Sequence, residues 1–170
     1  MPLAQLLLPE FDAEMASTRR LLECVPDGHS GWQPHEKSMS LARLATHVAQ
    51  LAGRAEAVCA HEEWDPRPPG TNPQPLVLDS RAKLLELFET GVGQARTALA
   101  AASDADFARS WTMKREGTPV YTGARLDAYR RIAMNHLVHH RAQLGVYLRL
   151  LGVPIPGMYG PSADDLAKTR

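Results

Sequence analysis

Two cysteines, no Cys-x-x-Cys pair, no Glu-x-x-His pair, no surplus of either charge and no long apolar run: these absences narrow what the 170-residue chain can be. Without an apolar run of the ~20 residues that a membrane span requires, no transmembrane helix is expected. The leucine-rich start, MPLAQLLLPEFDAE, lacks a basic leader and is followed by acids, so a signal peptide is not expected either. Cys24 and Cys59 lie far apart, each on the apolar side of a helical pattern, which reads as buried reduced thiols rather than a disulfide or a nucleophile. Lys plus Arg equals Asp plus Glu at 19 each. A neutral chain lacks the clustered positive charge that drives non-specific binding to nucleic acid or to an anionic membrane, so neither partner is expected. The cytoplasm is the expected compartment. The missing Cys-x-x-Cys excludes a zinc knuckle, and the missing Glu-x-x-His excludes a di-iron carboxylate centre.

What is present is helical periodicity. Leu8, Phe11, Met15, Thr18, Leu22 and Val25 alternate steps of three and four, and the pattern stops at Pro26-Asp27-Gly28. A second pattern follows the N-cap candidates Ser38-Met39-Ser40 and runs from Leu41 to Val58. A proline-rich loop, Asp65 to Pro75, breaks it. A third pattern starts near Asp79-Ser80 and carries Leu84, Leu85, Phe88, Val92, Ala95 and Leu99. A fourth runs from about Ala124 to Leu151 and ends at Gly152-Val153-Pro154. Strand signal is confined to Trp111–Tyr121, a candidate hairpin interrupted by Glu116-Gly117. The expectation is an all-α fold: one domain over residues 1–170, a four-helix bundle, with a proline- and glycine-rich C-terminal tail packed irregularly over one end. A domain of this size buries roughly 70% of its unfolded surface and needs no staples.

The fourth pattern carries an anomaly. In N-H-L-V-H-H-R-A-Q-L-G-V-Y-L-R-L-L-G, the core-facing row reads Ile132, His136, His140, Leu144, Leu148. A buried imidazole costs free energy unless its nitrogens find partners. The pair alone leaves two readings open, a polar network or a divalent metal taking one nitrogen from each ring. His47 tips the balance, because in L-A-R-L-A-T-H-V-A-Q-L it too falls on an inward stripe. Three neutral nitrogens suit zinc or another borderline divalent ion and leave a fourth position for water or substrate. His139 turns to the helix flank. Arg141 points away from the ligand row, where a surface or inter-helix salt bridge is expected. Gln50 and Gln143 are candidates to orient ligands, and Trp32, Trp111 and Tyr159 candidates to line a pocket mouth. His29, His35 and His61 are read as solvated.

The stretches W-Q-P-H-E-K-S-M-S-L-A-R-L-A-T-H-V-A-Q-L and N-H-L-V-H-H-R-A-Q-L-G-V-Y-L-R-L-L-G-V-P-I-P-G-M-Y-G-P-S-A-D-D resemble the DinB-like family of bacterial metalloproteins. The resemblance extends over nearly the whole chain. It implies a helix bundle with a divalent ion, zinc or nickel among those the family uses, held at one end by His47, His136 and His140. It also implies a homodimer, and a link to the DNA-damage or stress response. Characterised relatives activate a low-molecular-weight thiol such as mycothiol or bacillithiol, so the function it implies is a metal-dependent transferase acting on a thiol and a small-molecule substrate. The alternative is a metal-binding, dimerising stress protein without turnover. Nothing in the chain resembles a translesion polymerase, whose acidic metal-binding motifs are missing.

Overall fold

The computed structural model describes residues 1–168. Helix α1, Leu3–Leu22, buries Leu7, Phe11, Met15, Thr18 and Leu22, the predicted stripe except at its start, where Leu7 is buried and Leu8 only half-buried. That first turn is held from outside: the backbone N–H of Leu3 donates to Asp104 Oδ1 at 2.7 Å, a carboxylate placed on an orphan helix donor. Helix α2, Leu41–Ala52, starts at Ser40, whose hydroxyl accepts from the Arg43 N–H. The second pattern is not one helix. It is interrupted at Gly53, and α3, Arg54–Ala60, follows. Helix α4, Arg81–Ala101, follows the proline-rich loop. The short helix α5, Asp104–Ala108, is closed by a reciprocal capping box between Ser103 and Asp106.

The last long pattern is split as well: α6, Arg125–Ala128, passes into a π-helical segment, Tyr129–Met134, and then into α7, Asn135–Leu150. Four long helical segments therefore pack together. Helix α4 lies against α1, α2 and α3, while α7 lies against α1 and α2. Leu44, Val48, Ala49, Leu99, Leu144 and Leu148 are fully buried between them.

The expectation of an all-α chain is corrected by a small sheet of three strands in the order β1-β2-β3. Strands β2, Ser110–Arg115, and β3, Thr118–Ala124, form the antiparallel hairpin the sequence suggested. Its two-residue turn puts Glu116 at φ 54° and Gly117 at φ 77°, the paired positive angles a tight hairpin demands. Strand β1, Glu63–Trp64, runs parallel to β2 and was not foreseen, since two residues give no periodicity to detect.

The C-terminal tail differs in two respects. It contains a short helix, α8, Ala163–Ala167, opened by a capping box between Ser162 and Asp165. It also runs back along the flank of α1 and α7 rather than capping an end. Arg20 reaches the Gly157 carbonyl, Tyr159 bonds to Glu14 and Arg141, and Arg149 pairs with Asp164. Arg141 itself is buried. Its guanidinium meets Glu14 Oε2 at 2.6 Å and the Thr18 hydroxyl at 3.1 Å, so it forms the inter-helix salt bridge and not a surface one. No helix among the described residues is long and apolar enough to cross a membrane.

Candidate metal centre

The inward row on α7 runs from Leu148 and Leu144, in the core, outward through His140 and His136. Helix α2 packs beside it and brings His47 to the same point. The three imidazoles converge through Nε2. His136 Nε2 lies 3.1 Å from His140 Nε2 and 3.4 Å from His47 Nε2. The three ligand atoms all fall within 4.8 Å of one another, and each ring is half-buried. Nitrogens bound tetrahedrally to an ion at ~2.05 Å stand roughly 3.3 Å apart, close to the separations from His136 to His140 and to His47.

Hydrogen bonds on the far side of the rings decide which nitrogens carry protons. Gln143 Oε1 lies 2.7 Å from His140 Nδ1. An amide oxygen has no hydrogen to give, so Nδ1 donates and Nε2 keeps its lone pair. The His136 ring is hydrogen-bonded to the backbone of Ile132 in the sense that raises its pKa, and it donates as well. Ile132 belongs to the π-helical segment just before α7, the kind of wide turn that recurs at functional sites. Lone pairs are thereby aimed at one another across 3.1 Å, an arrangement that is unfavourable until a cation sits between them.

Protons do not fill that role at neutral pH. Burial, with the neighbouring imidazoles and the charges of Arg54 and Arg43, lowers the His47 pKa to about 4. Burial likewise lowers the pKa of His136 and of His140. The three rings are thus neutral donors of electron pairs, which is the form a divalent ion takes.

A cleft of about 710 Å³ opens on His47 and His136. Its walls are the proline-rich loop, including Pro66, Pro73 and Pro75, the start of α3, and Met113 and Arg115 of β2. Trp64 of β1 forms part of the floor, with Arg54 stacked on its ring at 3.9 Å. The loop is pinned at both ends. Asp65 accepts from the Arg67 and Gly117 N–H groups at 2.8 Å each, and the Leu78 N–H donates to the buried Thr46 hydroxyl.

Several residues singled out from sequence stand elsewhere. Trp111 is fully buried with its indole N–H on the Ala57 carbonyl, Trp32 packs edge-on against Tyr147, and Tyr159 sits in the tail; none lines the cleft. Gln50 does line it, and Gln143 orients His140. His139 is exposed on the flank, its ring against that of His140. His61 is paired with Glu56 at 3.1 Å. Sequence reasoning missed Trp64 and Arg54. Arg54 stands seven residues, two helical turns, after His47, a spacing that could have flagged it but for the break at Gly53.

Residues 94–170 match the model of the DinB family. That stretch contains His136 and His140 but not His47, which reaches the cluster through the fold. Two solved structures are similar over most of their length. A DinB-like protein from Bacillus subtilis shares 19% identity at a TM-score of 0.66, with 89% of this chain and 96% of that one covered. A DinB-like protein from Bacillus cereus shares 20% identity at a TM-score of 0.65, covering 89% and 95%. A comparison with curated proteins finds no match.

Proposed function

We propose that the chain is a DinB-like protein, on the match over residues 94–170 and the fold it shares with two DinB-like proteins, and that it is a metal-dependent transferase. In this reading a divalent ion, zinc or nickel, is held by His47, His136 and His140. The four long helical segments are the four-helix bundle of the DinB-like type, with the sheet added at the ligand end. The observation that carries the metal is the convergence of three neutral imidazoles through Nε2, with His136 3.1 and 3.4 Å from its two neighbours and all three within 4.8 Å of one another.

Turnover, rather than a purely structural ion, is supported by what surrounds the cluster. Among the described residues three protein ligands converge, and the cleft opens on two of them. Three protein ligands with an open position is the pattern of a catalytic site, whereas structural ions are closed by a fourth. When bound, the ion would supply Lewis acidity, which holds a small thiol as thiolate at neutral pH. The chain's own residues set up that chemistry. Gln143 and the Ile132 backbone fix the tautomers of His140 and His136, and the cleft gives a small molecule access to His47 and His136. The thiol proton passes to solvent, the sulfur bonds to an electrophilic carbon, and the leaving group departs with the bonding pair. Detoxification in a stress response is the physiological setting this chemistry suits.

Loading with cobalt(II) tests the reading, because cobalt reports its ligands by colour. Adding N-acetylcysteine to the loaded protein should produce a sulfur-to-cobalt charge-transfer band and accelerate conjugation to chlorodinitrobenzene. Both effects should be absent in His140→Ala. A cobalt spectrum indifferent to thiol, with no conjugation above the uncatalysed rate, would leave only the non-catalytic alternative.

A further inference from the structure

The chain is neutral as a whole, yet its cleft is not. Arg43, Arg54, Arg67 and Arg115 line it against a single carboxylate, Asp65, whose two oxygens are occupied by backbone N–H groups. Elsewhere six arginines are paired with acids, while Arg20, Arg81 and Arg125 bond to hydroxyl or carbonyl oxygens and Arg131 lies over the Tyr121 ring. Arg19, Arg96, Arg109, Arg130, Arg141 and Arg149 each have a carboxylate oxygen within 2.9 Å. Among the described residues Arg43, Arg54 and Arg115 form no ion pair, and Arg67 reaches only Glu116, at 3.9 Å.

Arg54 is the most telling of these. It is partly buried, and burial alone lowers its pKa to about 10, with no neighbouring acid to offset the cost. Its one close partner is the Trp64 ring, which holds the guanidinium plane by stacking and leaves its N–H donors unused. Its charge is felt at both His47 and His136, which places it beside the three-histidine cluster. A desolvated cation without a counter-charge is costly, and it persists where a ligand supplies the missing anion. The cleft volume of about 710 Å³ falls in the range of small-molecule sites.

We propose that this cleft binds a small oxyanion, a carboxylate- or phosphate-bearing molecule, recognised by Arg54 with Arg43 and Arg115 at the rim. The guanidinium fork suits both groups, since each presents paired oxygens to two N–H donors. The proposal names the charge of what sits beside the metal centre and takes its location from that reading.

Calorimetric titration of the full chain with succinate, with inorganic phosphate and with neutral succinamide tests it. Succinate or phosphate should bind saturably and succinamide should not; which anion binds distinguishes the two sources. Arg54→Gln and Arg115→Gln should each weaken binding at least tenfold, about 1.4 kcal/mol, while Arg96→Gln, whose guanidinium pairs with Asp12 between α4 and α1 and does not line the cleft, leaves it unchanged. Arg115 is exposed at a strand end, so its variant reports even if Arg54→Gln does not fold. Failure of both anions to saturate, wild-type affinity in the two cleft variants, or displacement of the anion by a short DNA duplex would overturn the proposal. Metal content measured on the same samples separates the two readings. A wild type that binds no divalent ion removes the metal centre but does not alter the anion result.

Discussion

Gln143 Oε1 and His140 Nδ1 lie 2.7 Å apart, one helical turn along α7, and the contact fixes which nitrogen of His140 is free to face His136. An orienting partner of this kind is worth 10–100-fold in metal affinity. Gln143→Leu should therefore weaken divalent-ion binding by about that factor in competition with a chelator, with unchanged helicity by circular dichroism. An affinity equal to wild type would show that the ring is oriented by packing alone.

Arg141 and Glu14 form an ion pair in the interior, the guanidinium 2% and the carboxylate 15% exposed. The guanidinium is also bonded to the Glu14 carbonyl, Thr18 and Tyr159, so its removal strands a carboxylate and loosens the tail together. Arg141→Met should cost about 3 kcal/mol in urea unfolding, as breaking one side of a buried pair does. The three-histidine cluster does not use Arg141, so metal content per folded chain should not change.

Two glycines on α4 make a controlled comparison. A Cβ at Gly91 would stand 2.9 Å from the Gly53 backbone nitrogen, where α4 meets the break between α2 and α3, whereas a Cβ at Gly93 would meet nothing within 4 Å. Gly91→Ala should destabilise by about 1–3 kcal/mol through overpacking against backbone that cannot yield. Gly93→Ala should be neutral or stabilising by up to about 1 kcal/mol through helix propensity. Equal effects of the two substitutions in thermal melts would contradict the close approach.

Cys59 gives the pH dependence. Burial pushes its thiol up to about 11. Below the ordinary thiol value both folded and unfolded chains keep the proton, and the contribution to stability is constant. Between about 9 and 11 the unfolded chain ionises and the folded one does not, so stability falls as pH rises through that window. Burial raises the Tyr129 pKa too, which adds a fall of the same sign at higher pH. Urea midpoints between pH 8 and 10.5 should decline, less steeply in Cys59→Ala. A rise over that range would be inconsistent with a buried thiol.

The apolar stripes of α1, α2, α4 and α7 were legible because a helix packed on one side writes its period into the sequence. Ile132, His136, His140, Leu144 and Leu148 read correctly as one row, and His47 as its partner, since a polar residue on an apolar face is conspicuous. The hairpin turn at Glu116-Gly117 was legible for a similar reason, its glycine marking a positive φ. Other features leave no such trace. The π-helical segment at Tyr129–Met134 involves the same residue types as an α-helix, and β1 is two residues long. The cleft was illegible because its walls come from a proline-rich loop, a helix start and a strand end distant in sequence. For Arg141 a surface or an inter-helix salt bridge stayed open, because the tail that covers it could not be placed from its composition.

The central claim is that the three imidazoles share one ion. Elemental analysis of the untagged protein beside His47→Ala, His136→Ala and His140→Ala tests it most directly. The account predicts close to one divalent ion per wild-type chain and loss of that ion in each variant, with helicity retained. Full occupancy in any one variant, or a wild type that cannot be loaded at neutral pH, would contradict it.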